Sequence, residues 1–278
     1  MCRSRLDGGM QPAYATTRGH RPHNGYVPTP YFDAPLPHRL AHRGATDGGR
    51  LDENTLAAFE LALAQGATHI ETDVQATSDG VAVLFHDDDL VRIAGLSKKV
   101  SQLTLQQLQS VDLGFGSRIP TLEETLVALP AVRFNLDFKV AGVIKPATEV
   151  LNRLAAADRI LVAAFSDRRR RAALRRLTSP VATSAGASVL LGLYLTARLR
   201  FNWALNLLAR SVQALQIPVN AGRLRFDSPW FIAAMKSARV EVHFWTINDV
   251  DEMRRLIALG ADGIVTDRAD FAVNTLRT

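Results

Sequence analysis

Short β-rich runs alternate with helical patterns from residue 39 almost to the end of the chain, and this alternation limits the possible folds most strongly. Most of the apolar runs precede a stretch with the apolar spacing of a helix. Eight such units within about 230 residues match a TIM barrel, a closed sheet of eight parallel strands surrounded by helices. An open doubly wound sheet is the alternative, but no Gly-x-Gly-x-x-Gly motif follows the first run. The predicted strands are 39–43, 68–74, 132–138, 160–165, 181–184, 212–217, 240–246 and 262–266.

The helical patterns and the first segment of the chain predict the domain organisation. Residues 39–278 are expected to form one barrel domain. Residues 1–38 contain six of the twelve prolines and no apolar periodicity, which predicts a flexible arm that becomes ordered near Tyr31 and Phe32. This arm has no apolar stretch of signal-peptide length, so we expect a cytoplasmic protein. The predicted helices are 55–65, 145–156, 167–177, 189–209, 229–237 and 249–259.

Charge and cysteine content argue against several classes of protein. The net charge is +6, but six arginines lie between residues 168 and 176, and without them the chain from residue 39 is slightly acidic. Because no base-reading motif accompanies this run, we expect a solvent-exposed helix face and no nucleic-acid partner. The single cysteine, Cys2, excludes an intramolecular disulfide and a cysteine-based zinc site. The uncharged stretch 177–197 contains Pro180 and is not expected to span a membrane.

Two carboxylates and a histidine are predicted to meet on the second strand. Glu71 and Asp73 lie on the same face of that strand because alternate residues share a face. The Asp79-Gly80 dipeptide that follows is a hairpin signal, and as a two-residue loop it pairs residues whose numbers sum to 159. This register predicts that His86 lies directly opposite Asp73.

The third strand adds a carboxylate and a lysine to this group. Asp137 and Lys139 alternate near the end of the strand and are expected to point into the barrel. Clustered carboxylates suit a hard cation such as Mg²⁺ or Ca²⁺, and the lysine provides a point charge for a phosphate. A structural salt bridge between strands is the alternative interpretation.

The first strand ends in a histidine, an arginine and a glycine. Arg43 offers a guanidinium to an anion, and Gly44 predicts a backbone held close to a ligand. His42 read alone is typical of a packed core histidine. The segment Glu53-Asn54-Thr55 then starts the first helix, where either of its last two residues can act as the cap and its glutamate can face the site.

These segments, taken in order, resemble the glycerophosphodiester phosphodiesterase family of the PLC-like phosphodiesterase superfamily. The resemblance covers about residues 39–270 and implies a (β/α)₈ barrel with an insertion at about 88–118. Members of the family split glycerophosphodiesters into glycerol 3-phosphate and an alcohol with Mg²⁺ or Ca²⁺. The motifs are His42-Arg43-Gly44, Glu53-Asn54-Thr55, Glu71-Thr72-Asp73-Val74, His86-Asp87, Asp137-Phe138-Lys139, Trp245-Thr246-Ile247-Asn248 and Asp262-Gly263-Ile264-Val265-Thr266-Asp267.

The resemblance implies roles for eight residues of this chain. The metal ligands would be Glu71, Asp73 and Asp137, the general acid–base pair His42 and His86, the phosphate-binding residues Arg43 and Lys139, and a pocket wall Trp245. Asp137 departs from the family pattern, since many members have glutamate there, and the shorter side chain implies a deeper metal or an additional water. Either water or a neighbouring hydroxyl of the substrate, through a cyclic phosphate, is compatible with these residues as the nucleophile.

The apolar stretch 189–209 raises a second functional hypothesis. It contains too many apolar positions for one buried helix face, so we expect an exposed apolar patch used for self-association or for contact with a membrane surface. Its position near the arginine run favours a lysophospholipase D-type enzyme that acts on membrane lysolipids. The alternatives are that the stretch packs wholly against the barrel, or that the barrel binds without catalysis, against which both histidines and all three acids argue.

Overall fold

Eight parallel strands form the barrel that the sequence predicts. In the computed structural model, which describes residues 29–276, strands that are neighbours along the chain pair with each other, except the fifth and the sixth, and the eighth also pairs with the first. An isolated parallel bridge between Ser184 and Ala214 joins the fifth strand to the sixth, so the barrel is nearly closed. The predicted TIM-barrel fold is therefore confirmed. The strands are β1 (His38–His42), β2 (His69–Ala76), β3 (Phe134–Phe138), β4 (Ile160–Ala163), β5 (Ala182–Thr183), β6 (Ala214–Ile217), β7 (Glu241–Phe244) and β8 (Gly263–Thr266).

Helices surround the sheet and bury their apolar faces against it. The ring of Phe59 on the first helix contacts that of Phe134 on β3, with centroids 5.9 Å apart. Thr55 caps this first helix, because its side chain accepts a hydrogen bond from the Ala58 amide. The main helices are α1 (Leu56–Ala64), α2 (Leu122–Ala128), α3 (Ile144–Arg153), α4 (Asp167–Leu174), α5 (Ala187–Arg198), α6 (Asn202–Ala209), α7 (Pro229–Ser237), α8 (Val250–Ala258) and α9 (Ala269–Thr275).

The prediction of one helix over 189–209 is wrong, because the segment is a hairpin of α5 and α6. Arg200 has a φ of 59°, a left-handed conformation that cannot continue a helix. The amide of Phe201 donates to the Thr196 carbonyl at 2.9 Å, which closes the turn as in a common helix C-cap. Across residues 29–276, the helices are too short or too polar to cross a membrane.

The segment 88–118 forms a small apolar unit beside the hairpin of β2. The strand Ala82–Leu84 pairs antiparallel with β2 and leads into this segment. Phe85 packs there with Leu90 and Leu108 in an apolar cluster separate from the main core. Burial of these side chains holds the segment to the barrel. Its elements are the strands Asp89–Leu90 and Leu96–Lys99 and the short helices Val91–Ala94 and Leu105–Gln109.

Tyr31 closes the amino-terminal end of the barrel. Its side chain is fully buried and packs with Leu161, Ala182 and Ala214 from three different strands. Its backbone oxygen lies 3.0 Å from Nε2 of His69. Residues 1–28 lie outside the described residues, so the flexible arm predicted there stays a prediction.

The arginine run is only partly the solvent-exposed helix face that the sequence predicts. Arg170 is 1% exposed, and its guanidinium donates to Asp167 and to the Ser211 carbonyl, each at 3.0 Å. Arg169 donates to the backbone oxygen of Lys139 at the end of β3. These two arginines tie α4 to its neighbours, and a charge count along the sequence cannot separate them from the exposed members of the run.

Candidate active site

Residues from three distant segments, on β1, β2 and β3, come together near the level at which β1 and β3 end. His42 on β1 is the register partner of Glu71 on β2, and Asp73 on β2 is the partner of Asp137 on β3. Parallel strands end at the same edge of a sheet, so these side chains lie at the face of the barrel where TIM-barrel enzymes have their active sites.

His42 is oriented by a carboxylate on β8. Its Nδ1 lies 2.7 Å from Oδ1 of Asp267, and its Nε2 lies 4.0 Å from Oε2 of Glu71. Burial lowers the pKa of His42, but the hydrogen bond to Asp267 and the charge of Glu71 outweigh it, so the pKa lies above its ordinary value. Asn248 fixes the carboxylate, since its Nδ2 donates to Oδ2 of Asp267 at 2.7 Å. One ring nitrogen is thus oriented and the other faces an acid.

Two of the acids of the site, Glu71 and Asp73, are deeply buried, and Asp137 is partly buried. Burial and the neighbouring charge of Asp73 raise the pKa of Glu71 to about 8. Oε2 of Glu71 is buried without a hydrogen-bond partner. Burial also raises the pKa of Asp137, although the charge of Lys139 opposes this shift. Raised carboxyl pKa values show that the local positive charge does not fully compensate the buried acids.

Two cations and an asparagine surround Asp73. Nζ of Lys139 lies 3.2 Å from oxygens of both Asp73 and Asp137, and Nε of Arg43 lies 3.2 Å from the other oxygen of Asp73. Asn54 has a left-handed φ of 57° and donates to the same carboxylate at 3.4 Å. Asp73 is therefore contacted from several sides, whereas Glu71 pairs with no lysine or arginine within the described residues.

The predicted register of the hairpin is wrong by one residue. Val74 pairs with Leu84, so the numbers of paired residues sum to 158 rather than 159. The amide of Phe85 donates to the Asp73 carbonyl at 3.0 Å. Phe85, and not His86, is therefore the residue opposite Asp73.

A three-residue loop causes this difference. The amide of Thr77 donates to the Val81 carbonyl at 3.0 Å, and its Oγ1 accepts from the Val81 amide at 2.9 Å. Gly80 has a φ of 79°, as expected in a three-residue hairpin loop with a left-handed glycine. The loop consists of residues 78–80, one more than the dipeptide signal indicates.

His86 is linked to the site through a chain of ion pairs. Its Nδ1 lies 2.5 Å from Asp87, whose other oxygen lies 2.6 Å from Nε of Arg92. Arg92 also contacts Glu53 at 2.6 Å, and Glu53 contacts Arg43 at 3.1 Å. The ring of His86 contacts Asp87 rather than one of the three acids. Glu53 faces the site, as one of the two sequence interpretations has it.

Gly44 and Trp245 complete the predicted set. Gly44 has a φ of 88°, and a Cβ added there would lie 2.7 Å from the Ala58 carbonyl carbon on α1. The close neighbour of this glycine is a helix backbone, and the expectation that it lies against a ligand stays a prediction. Trp245 directly follows β7 and is 44% exposed at the same end of the barrel.

The sequence assigns no role to three partners of the site, although two of them, Asn248 and Asp267, are polar residues at the ends of predicted strands. Asp267 directly follows β8, Asn248 lies shortly after β7, and both belong to the quoted motifs. Nothing in the sequence, however, pairs Asp267 with His42. Arg92 lies in the insertion, where no motif marks it. Position at a strand end is the signal that finds the first two.

The acids at this end have the donor chemistry of a hard-cation site. Carboxylate oxygens are the ligands that Mg²⁺ and Ca²⁺ prefer, and the buried, unpartnered Oε2 of Glu71 fits such an ion. A different group, His38, Glu241 and His243, has ligand atoms that all lie within 4.8 Å of one another. It belongs to the opposite end of the barrel, since His38 and Glu241 begin their strands.

The chain is similar to known phosphodiesterases over most of its length. Residues 42–271 match the glycerophosphoryl diester phosphodiesterase family. A probable glycerophosphodiester phosphodiesterase 2 of Mycobacterium tuberculosis is 42% identical over 241 residues, which cover 85% of this chain and 89% of that protein. The lysophospholipase D GDPD1 of Homo sapiens is 27% identical over 273 residues, which cover 84% of this chain and 83% of that protein.

A solved structure agrees with the fold. An Oleispira antarctica phosphodiesterase, solved in complex with the product sn-glycerol-3-phosphate, has a TM-score of 0.71 at 25% identity and covers 86% of this chain and 96% of its own. The family match, the relatives and the barrel all agree with the resemblance found in the sequence. This chain therefore belongs to the glycerophosphoryl diester phosphodiesterase family and is a phosphoric diester hydrolase.

Proposed function

We propose that this chain hydrolyses glycerophosphodiesters to glycerol 3-phosphate and an alcohol, with a divalent cation held by Glu71, Asp73 and Asp137. The observation that carries the proposal is the buried oxygen of Glu71, which has no hydrogen-bond partner and lies 4.0 Å from Nε2 of His42. A bound Mg²⁺ or Ca²⁺ supplies positive charge that stabilises the charge developing on the phosphoryl oxygens.

The two histidines carry the proton transfers in this proposal. His42 has one nitrogen fixed by Asp267, so its Nε2 is free to take or give a proton at the reacting phosphodiester. His86 is the second acid–base group, with Nδ1 held by Asp87 in the same way. Each histidine is thus a ring oriented by a carboxylate, an arrangement that suits general acid–base catalysis.

Arg43 and Lys139 bind the phosphate, and Trp245 forms a wall of the pocket. Arg43 and Lys139 both contact Asp73, so two positive charges lie beside the carboxylates and can offer donors to the anionic substrate. The exposed ring of Trp245 provides an apolar surface for the glycerol or the leaving alcohol.

Release of glycerol 3-phosphate from glycerophosphocholine tests the metal dependence. We expect chelation with EDTA to abolish turnover and Mg²⁺ or Ca²⁺ to restore it. Asp73→Asn should remove most activity without unfolding the protein, and Asp251→Asn, the same change at a side chain that is 91% exposed, should leave activity unchanged. Full turnover after exhaustive chelation would falsify the assignment of the cation.

The exposed side of the α5–α6 hairpin favours a second candidate, a lysolipid as substrate at a membrane surface. Six large apolar side chains there are between 47% and 75% exposed and define the apolar patch. Residues 187–210 contain three arginines and no acidic residue, so the surface around the patch is positively charged. The patch consists of Leu191, Leu195, Leu199, Phe201, Trp203 and Leu207.

An anionic lipid surface is the occupant that this chemistry fits best. Apolar side chains flanked by arginines match the boundary between lipid headgroups and acyl chains. Arg198 also lies over the ring of Trp230, 5.9 Å from its centroid, which places a cation beside a second partly exposed aromatic ring. The human relative is named a lysophospholipase D, which is the activity of this second candidate. We infer that the patch holds the enzyme at anionic membranes.

A further inference from the structure

A polar cluster at the amino-terminal end of the barrel has no part in the chemistry proposed above. His38 and His243 have fully buried side chains, and Glu241 is 25% exposed. Oε2 of Glu241 lies 3.2 Å from Nε2 of His38 and 3.0 Å from Nε2 of His243. Three groups that bind transition metals therefore converge on one point inside the barrel.

A glycine makes this convergence possible. Gly263 on β8 lies between the other two strands and is the register partner of both His38 and His243. A Cβ at this position would lie 2.9 Å from Cδ2 of His243 and 3.1 Å from Cβ of His38. Any larger residue would force the two histidines apart, so the backbone here accommodates the cluster.

Unmade hydrogen bonds in the cluster point to a ligand. Nε2 of His38 makes no well-aligned hydrogen bond although it lies 3.2 Å from Oε2 of Glu241, and Nδ1 of both His38 and His243 is buried without a partner. Such groups are rare in proteins, because they have lost water and gained nothing in exchange. The adjacent His69 differs, since its Nδ1 lies 2.8 Å from Thr68 Oγ1 and its Nε2 lies 3.0 Å from the Tyr31 carbonyl. His69 therefore has no nitrogen to offer.

We propose that His38, Glu241 and His243 bind a first-row transition-metal ion such as Zn²⁺. Two imidazoles and one carboxylate are an established zinc ligand set, with water in the fourth position. Bonds of about 2.0–2.1 Å place the ligand atoms of a tetrahedral site about 3.3 Å apart. The separations of 3.0 and 3.2 Å to Glu241 are close to this value. Glu241, whose side chain is 25% exposed, is the member of the cluster that solvent reaches.

This site is distinct in chemistry from the one at the carboxyl ends of the strands. Imidazole nitrogens select zinc-class ions, whereas clustered carboxylates select Mg²⁺ or Ca²⁺. The ion would connect β1 to β7 across β8, and so stabilise the folded barrel without contacting the substrate. The inference does not depend on the substrate or on the acid–base roles proposed above.

Cobalt binding to the full chain tests the site, because Co²⁺ replaces Zn²⁺ and its visible spectrum reports nitrogen ligation. We expect the chelator-stripped protein to bind one Co²⁺ with an imidazole-type spectrum and to melt at a higher temperature with the ion. Glu241→Gln and His243→Gln should each weaken binding more than about tenfold, since lesser changes around metal ligands already cost that much. Asp73→Asn is the matched control and should keep the spectrum.

Two results would overturn the inference. One is the absence of an imidazole-type cobalt spectrum in the wild-type protein. This result does not depend on whether any variant folds. The other is a spectrum that persists in both Glu241→Gln and His243→Gln, or that disappears only in Asp73→Asn, because the ion would then be bound elsewhere. The melting temperature without metal shows whether each variant is folded.

Discussion

Nδ1 of His42 lies 2.7 Å from Oδ1 of Asp267, and this contact joins the ends of the first and last strands of the barrel. The two residues are 225 positions apart, so they meet only when β8 pairs with β1. Closure of the barrel thus orients the histidine that faces the buried acids. One hydrogen bond between strand ends therefore orients a side chain that we propose to act in catalysis.

Asp267→Asn should lower kcat on the order of 10²-fold and change KM little. An asparagine keeps the size of the side chain but cannot stabilise a positively charged His42 ring. Steady-state release of glycerol 3-phosphate measures both constants. Asp270→Asn, a nearby surface change, is the control. A rise in KM at unchanged kcat would show that Asp267 binds substrate instead.

Asp167 is the residue through which acid should destabilise the protein. It is 4% exposed and accepts hydrogen bonds from the Gly186 and Val189 amides at 3.0 and 2.9 Å and from Ser188 Oγ at 2.7 Å. Burial acts to raise the pKa of Asp167, but these bonds and the charge of Arg170 hold it below its usual range. Its contribution is therefore fully present above the unfolded-state pKa of about 3.9 and is lost as the pH falls through the lower folded value.

Asp167→Asn should reduce the free energy of unfolding by about 3–5 kcal/mol at neutral pH, because it leaves the buried Arg170 unpaired. The difference from wild type should shrink as the pH falls below about 4. Urea unfolding at several pH values measures it, and Asp251→Asn should stay within about 0.5 kcal/mol of wild type. A difference that is constant from neutral to acidic pH would contradict this explanation.

The sequence predicts the barrel well because each strand is a local apolar run. The predicted strand 160–165 corresponds to β4, and the predicted helix 229–237 corresponds to α7 residue for residue. The carboxylates at 71 and 73 lie within β2, which the sequence also predicts from a local apolar run. The local pattern does not predict the register of the hairpin or the break between α5 and α6, because these depend on the left-handed backbone conformations of Gly80 and Arg200.

Contacts between distant segments could not be predicted from the sequence. The pairing of His42 with Asp267 requires the closed barrel, and the burial of Arg170 requires the Ser211 carbonyl from a segment 41 residues away. Arg92 reaches Glu53 across 39 residues from within the insertion. A strand or helix pattern carries no information about such pairs.

Gly44→Ala should destabilise the protein and lower activity. The residue has a left-handed φ of 88°, and its Cβ would lie 2.7 Å from the Ala58 carbonyl carbon. We expect a loss of about 1–3 kcal/mol from the backbone conformation alone, and a further loss because α1 must move. Gly48→Ala is the matched control, because its φ of 67° is also left-handed but no atom lies within 4 Å of the added Cβ. Equal melting temperatures for the two variants would exclude the contact with α1.

The apolar patch should bind anionic vesicles. Wild type should float with phosphatidylserine-containing liposomes, and the double variant Trp203→Ser, Leu207→Ser should bind at least about tenfold more weakly, since each side chain contributes about 1.5–3 kcal/mol when buried. Turnover of a soluble glycerophosphodiester should not change. Val127→Ser, at a side chain that is 60% exposed outside the patch, is the control.

Sedimentation of the free protein distinguishes the other occupant of the patch. A protein that forms dimers through α5 and α6 and ignores vesicles would show that the patch joins two copies of the chain. A monomer that ignores vesicles would contradict both uses of the patch. Either result would overturn the assignment to lipid.

The proton transfers assigned to His42 and His86 are tested most directly by changing the leaving group. We would measure kcat for His42→Gln and His86→Gln with glycerophosphocholine and with a glycerol phosphodiester of nitrophenol, which departs without needing a proton. The variant that lacks the general acid should regain activity on the order of 10²-fold with the nitrophenyl substrate, and the variant that lacks the general base should not. Equal losses on both substrates in both variants would contradict the division of the chemistry between these two histidines.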